Sequence, residues 1–231
     1  MHLSAIDSAI RSRKSARAFS QQEVPRSRMV ALLDEAARMA ALGAEVAWSV
    51  HLLHGDSRQA LCAKVCAAHD ALRQAPELSS LYREPYDYYP EKWTSPYLER
   101  RRENGWSLYG LLGIGKADRD KMHAQHQRNY QFFDAPVGLI FTLPRALGRG
   151  ELLALGAFLQ SLMLCARQAG MHTCPQAAWN GFSSIVMPHI GAADSDMLVC
   201  AMALGFENGS DRVNTFHTPR VPVLGFTRWL S

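Results

Sequence analysis

The sequence predicts an α+β fold, and three observations lead there. Short apolar runs of strand length occur at Trp48 to His54, Pro136 to Leu143 and Leu198 to Leu204. Between them stand longer segments whose apolar residues recur at helical spacing. The chain of 231 residues is 48% apolar and only 20% charged, enough to enclose a full core and better suited to one domain than two.

Residues Ser4 to Ser12 read as a short helix: Ser4 can cap it, Asp7 lies near the positive end of the helix dipole, and Ile6 and Ile10 share a face. A basic segment from Arg13 to Arg17 follows. After a turn at Pro25, the spacing of Met29, Leu32, Leu33, Ala36 and Met39 predicts a second helix to about Ala40, and Trp48 to His54 then reads as a strand. From about 76 to 130 the character changes. Pro85, Pro90 and Pro96 break a stretch dense in Tyr and Trp, followed by Glu99-Arg100-Arg101-Arg102. This is an insertion into the single domain 1–231, either lid-like over a substrate or packing at an interface. Pro136 to Leu143, bounded by prolines, reads as a buried strand. The segment Glu151 to Ala169 is apolar on more than one face, and Gly170 stands where a C-cap belongs. Such a helix is buried on several sides, both in its own domain and against a second subunit. Leu198 to Leu204 is a further strand, and the tail from Asn214 carries Pro219, Pro222 and a final aromatic cluster.

The net charge of +4 is carried mostly by arginine, whose planar fork suits phosphates and carboxylates. It is too small and too dispersed to indicate nucleic acid. The five cysteines match neither zinc nor CxxC spacing, which fits a reducing cytosol, and no apolar run is read as approaching the roughly 20 residues of a membrane span. A soluble cytoplasmic protein is expected.

Arg13-Lys14-Ser15-Ala16-Arg17-Ala18-Phe19 is the sharpest motif: its cations and hydroxyl could clamp a phosphate, or form a solvated basic turn. Gly110 to Ala117 nearly matches a P-loop, but Ala117 lacks the hydroxyl that would reach magnesium, and no apolar strand precedes it. His123 and His126 share a helical face without a third ligand at sensible spacing, so no metal is expected. Arg100-Arg101-Arg102 between Glu99 and Glu103 reads as a solvated, mixed-charge helical face. There is no GxSxG, no HExxH and no glycine-rich fingerprint after a strand.

Several blocks in order resemble the nitroreductase family: Ala9-Ile10, Arg13 to Phe19, and Val24-Pro25; Asp134 to Phe141; Gly156-Ala157-Phe158-Leu159-Gln160; Thr173-Cys174-Pro175-Gln176-Ala177-Ala178-Trp179; and Ala201 to Gly205. The resemblance covers nearly the whole chain. It implies a central, mostly antiparallel sheet flanked by helices, in an intertwined homodimer with the helix from Glu151 at the interface and the tail reaching over the partner. It implies FMN as cofactor, with Arg13, Lys14, Ser15 and Arg17 around the phosphate and ribityl end and Arg220 closing the same pocket. Pro175, Gln176 and Ala177 would pass beside the isoalloxazine, offering backbone N–H groups towards N5 and O4. By the same resemblance Trp106 and Tyr109, within a stretch similar to an insertion of one nitroaromatic-reducing subgroup, would face substrate.

The activity implied is ping-pong: NADH or NADPH delivers hydride to flavin N5, and a nitroaromatic or quinone-like acceptor then takes two electrons. No side chain is expected to act as acid, base or nucleophile, since the chemistry is the cofactor's. Nothing in the sequence selects between the two nicotinamide donors. One family element is replaced: the Pro-Ser-x-x-Asn-x-Gln-Pro-Trp type segment is here Ala40-Ala41-Leu42-Gly43-Ala44-Glu45-Val46-Ala47-Trp48. Two alternatives therefore stay open: a flavoprotein that reduces or dehalogenates another flat substrate, and a flavin-poor, non-catalytic dimer.

Overall fold

The computed structural model describes residues 4–40 and 46–230. Residues 41–45, most of the replaced family segment, lie outside them. Four strands, β1 (Ser49–Leu53), β2 (Val137–Pro144), β3 (His172–Gln176) and β4 (Asp196–Gly205), form one sheet in the order β1-β2-β4-β3, with every pairing antiparallel. The helices are α1 (Ala5–Ser12), α2 (Arg26–Ala40), α3 (Gly55–Gln74), α4 (Tyr97–Leu111), α5 (Arg119–Gln127), α6 (Arg149–Gln168) and α7 (Ser183–His189).

β2 and β4 are apolar along almost their whole length because the sheet is covered on both faces. Along β2 the two-residue period divides the side chains. Val137, Leu139, Phe141 and Leu143 join the layer formed with α2 and α6, while Ile140 joins the opposite layer of α3, Phe132, Trp179 and α7. In β4 the alternation breaks at Val199 and Cys200, which both face the α6 layer. Pairing moves there from Phe141↔Cys200 to Thr142↔Leu198, so Val199 is the extra residue of a bulge.

Helix ends follow local chemistry. Ser4 and Asp7 form a reciprocal capping box: the Asp7 N–H donates to Ser4 Oγ at 3.1 Å, and the Ser4 N–H donates to Asp7 Oδ2 at 3.3 Å. α6 ends where Gly170 takes φ 77°, which lets the Met171 N–H reach Ala166 O at 2.8 Å. Contrary to the sequence reading, α6 is long and apolar enough, by length and composition alone, to cross a membrane. Its buried face, with Leu155, Phe158 and Leu162, is core of this fold.

Residues 76–130 include a 3-10 turn (Pro76–Leu81) packed on α3, then α4, which meets the 3-10 turn Arg212–Thr215, and α5, and none of the segment's own three elements has a buried residue. The segment returns through Phe132, Phe133 and Asp134, three consecutive left-handed residues with φ of 52°, 52° and 69°. Each such non-glycine residue costs roughly 1–3 kcal/mol, a strain sustained here by packing. Phe132 is fully buried and stacks on Trp179 at 4.5 Å.

Candidate functional site

The segment after α1 is extended, and its alternation decides what it offers. Ala16 and Ala18 are buried, leaving Ser15 and Arg17 half-buried on the other side. Ser15 makes a parallel bridge with Thr173 at the free edge of β3, the Ala16 N–H donating to Thr173 O at 3.1 Å. The buried Asn214 ties the C-terminal segment to the same stretch. Its Oδ1 accepts from the Arg17 N–H at 2.8 Å, and its Nδ2 donates to Ala18 O at 2.8 Å and Asn208 O at 3.0 Å. Both ends of the chain therefore meet beside β3, and sequence reasoning missed Asn214 as the residue that joins them.

Arg220 comes close enough to Arg13 for the two guanidinium groups to repel. Partial burial first, and Arg220 second, hold the Arg13 guanidinium below its ordinary range. No carboxylate oxygen of a described residue lies within 4.0 Å of either group. Two like charges converging without an acid favour an added anion, since bringing one in removes both the repulsion and the unpaired charge. Arg17 Nη1 donates to Ser15 O at 3.3 Å, and its guanidinium lies over the Phe216 ring at 5.7 Å. Lys14 is placed differently from the sequence expectation. Its ammonium stands 2.8 Å from Glu207 Oε2 and donates to Asn214 O at 2.8 Å, so its charge is already balanced within the protein.

Pro175 sits on the edge strand, where a residue without an N–H costs no ladder bond. Thr173 faces the free edge, so by alternation Pro175 does too, and Gln176 turns towards β4. Two cavities open beside this end of β3. One, of about 360 Å³, is lined by Tyr86, Tyr88, Gln176, Ala177 and the α6 residues Leu155 and Gly156. The other, of about 430 Å³, is lined by Arg17, Tyr88, Arg101, Tyr109, Gln176 and Ala177. Gln176 Nε2 donates to Asn129 O at 2.7 Å, while its buried Oε1 has no partner among the described residues. That acceptor can meet the ring N–H of a heterocycle. An anion-seeking arginine pair, a peptide edge and an open acceptor together fit a phosphorylated flavin.

Tyr86 and Tyr88 were unremarked within the aromatic stretch of the sequence, yet they line the site. The Tyr86 hydroxyl donates to Val199 O at 2.8 Å, and burial pushes both phenols above their usual range. Tyr109 lines the larger cavity. Trp106 does not; it is 41% exposed, lies edge-on to Tyr109 at 5.8 Å, and lines a separate cleft with Tyr109 and Arg101.

The histidine pair on α5 is not isolated. α3 brings His69 and Asp70 against it, so that ligand atoms of His69, Asp70 and His123 lie within 4.8 Å of one another. Spacing within α5 could not reveal partners on another helix. The group is hydrogen-bonded internally, His123 Nε2 to Asp70 Oδ1 at 2.7 Å and His126 Nδ1 to His69 Nε2 at 3.2 Å, with His69 and His123 stacked at 4.2 Å. Near-parallel stacked imidazoles cannot both aim in-plane lone pairs at one ion. The cluster fastens α5 to α3.

Comparison with known proteins gives the family. A family model described as the nitroreductase family matches residues 10–206. A 4-nitrobenzoate reductase of Pseudomonas putida is 34% identical over 97% of this chain and 95% of its own length. A chloronitrobenzene nitroreductase of Comamonas testosteroni is 32% identical over 97% and 96%. The solved FMN and NADPH-dependent nitroreductase NfnB from Sphigopyxis sp. strain HMH superposes with a TM-score of 0.90 at 31% identity, covering 99% of this chain and 100% of that one. The chain belongs to the nitroreductase family.

Proposed function

We propose that this chain is an FMN-dependent oxidoreductase that uses NADH or NADPH to reduce nitroaromatic or quinone-like compounds. The observation that carries the reading is that Arg13 and Arg220 repel each other with no carboxylate within 4.0 Å of either among the described residues, Arg13 being close in sequence to Arg17, which lines a cavity with Pro175, Gln176 and Ala177 of the β3 end. The relatives' names supply the acceptor class.

In this reading Arg13, Ser15, Arg17 and Arg220 take the phosphate and ribityl end of FMN. Charge-assisted hydrogen bonds are worth about 1.5–3 kcal/mol each, so two or three suffice to anchor a phosphate monoester. Lys14 contributes at a distance, by holding Glu207 away from the incoming anion. Pro175, Gln176 and Ala177 lie along the ring: Ala177 offers a backbone N–H, Gln176 an open acceptor, and Pro175 stiffness. When bound, FMN supplies the redox chemistry, taking hydride from the nicotinamide and returning two electrons to an acceptor at the same face. The residues around it position both partners and exclude water. Tyr88 and Tyr109 offer flat surfaces to the acceptor, and no side chain donates a proton or attacks.

We further read the chain as one domain over 1–231 with a lid-like insertion around 76–130, working as a homodimer. Support for the dimer lies in apolar side chains without cover: Ile6 and Ile10 on α1, Leu153 on α6 at 79% exposure, and the tail from Val221. Dispersed free thiols agree with a cytoplasmic setting.

The test is spectroscopic. Purified protein titrated with FMN should bind it, bleach anaerobically on adding NADPH, and regain its colour on adding 4-nitrobenzoate. Protein that takes up no FMN, or holds it but is not bleached by either nicotinamide, would overturn the proposal.

A further inference from the structure

Arg101 stands out among the cations that the flavin reading leaves unused. The sequence places it in a solvated basic run, but its guanidinium lies 4.8 Å from the Tyr89 ring centroid and 4.7 Å from that of Trp93. Aromatic faces orient a guanidinium and limit its rotamers without neutralising it, so the in-plane N–H fork stays free for a planar anion. Among the described residues no carboxylate oxygen comes within 4.0 Å of Arg101. Glu84 feels its charge from beyond that distance: burial raises that carboxyl, while a backbone hydrogen bond at Tyr89 and then Arg101 lower it. The neighbouring Glu99 is engaged by the Ser95 hydroxyl.

Arg101 also opens onto the larger cavity, which joins α4 to the end of β3. Arg17 lines it too, and no acidic residue does. Its other walls include Tyr88, Tyr89 and Tyr109. Aromatic faces with a fixed, unpaired guanidinium match a flat ring that bears an acid. We infer that Arg101 is the anion-recognition residue of the acceptor site and selects nitroaromatic substrates that carry a carboxylate.

This rests on the flavin reading for where the acceptor lies. Kinship alone does not decide it: the Pseudomonas putida relative is named for an anionic nitroarene, and the Comamonas testosteroni relative for a neutral one. The bidentate match of guanidinium to carboxylate, rather than to a neutral substituent, is what makes the choice.

The experiment compares 4-nitrobenzoate with its neutral methyl ester in the FMN-loaded wild type, Arg101→Leu and Arg101→Lys. Calorimetric binding of benzoate, which cannot be reduced, and KM for NADPH are measured alongside. In Arg101→Leu the acid-to-ester ratio of kcat/KM should fall roughly 10- to 100-fold, as expected for losing one bidentate charge-assisted contact. Benzoate binding should weaken in parallel, and lysine should restore part of both. An unchanged ratio, or wild-type affinity for benzoate, would overturn the inference. So would an effect confined to KM for NADPH, which would assign Arg101 to a dinucleotide phosphate. A wild type that reduces neither acid nor ester would fail the flavin reading itself, and benzoate binding would still judge Arg101.

Discussion

At residue scale the account depends on which polar groups are paired and which are left open. The dense cation motif from Arg13 to Arg17 was legible, because charge density and order are properties of the string. The separate roles within it were not, since Lys14 is claimed by Glu207 and by Asn214, 200 positions away. The same limit hid Gly138. It is one position of an apolar strand, and a methyl group there would stand 2.5 Å from the ring of Phe132, which is fully buried against Trp179. Gly138→Ala should therefore destabilise the protein by about 1–3 kcal/mol, the usual cost of overpacking a tight core. Urea denaturation checks this, and Phe132→Leu in the same chain should recover part of the loss. Stability equal to wild type would mean that the ring can move aside.

At the scale of elements, strong periodicity was readable and context was not. α2, α6 and the two central strands announce themselves through large aliphatic residues. α3 is not among the elements predicted: in its buried stripe of Leu61, Cys62, Val65 and Ala68 only Leu61 and Val65 are larger aliphatic residues. β3 is not among the strands predicted, since only its edge position makes Pro175 acceptable in a strand. The docking of α5 on α3 carries a pH dependence. Burial first, then His123 and His126, lower His69 to about 4 from an ordinary 6.5, and burial lowers His126 as well. Both rings are thus favoured neutral in the docked state. The stabilisation is fully present above about 6.5 and is lost as pH falls towards 4. Asp70, held below the usual carboxylate range mainly by its hydrogen bond from His123, loses its contribution at still lower pH, in the same direction. Hydrogen exchange should show α5 amides opening faster at pH 5 than at pH 7.5, after correction for intrinsic exchange rates, with the central strands unaffected. His69→Phe should flatten that difference, whereas identical protection at the two pH values would count against a histidine fastening.

At the scale of the whole molecule, the open surfaces are where the proposed homodimer would find its cover. α1 buries only Ala9 and leaves Ile6 and Ile10 exposed at 66% and 55%, so its amphipathic pattern, clear in the sequence, finds no core within one chain. Leu153→Glu places a charge on the uncovered side of α6 and should shift sedimentation from dimer to monomer; an unchanged dimer would locate the interface elsewhere. The site itself was half legible. Its ordered motifs carry a family resemblance, which already implies the meeting of Arg13 and Arg220, whereas the part of Asn214 in joining the chain ends, and the cavities that α4 completes, exist only once the chain is folded. That meeting is the central claim, and FMN affinity tests it most directly. With fluorescence of released FMN as the readout, Arg13→Ala and Arg220→Ala should each raise Kd by roughly 10- to 150-fold, the equivalent of one charge-assisted contact, while circular dichroism stays that of the wild type. Full retention of FMN by both variants would contradict the account.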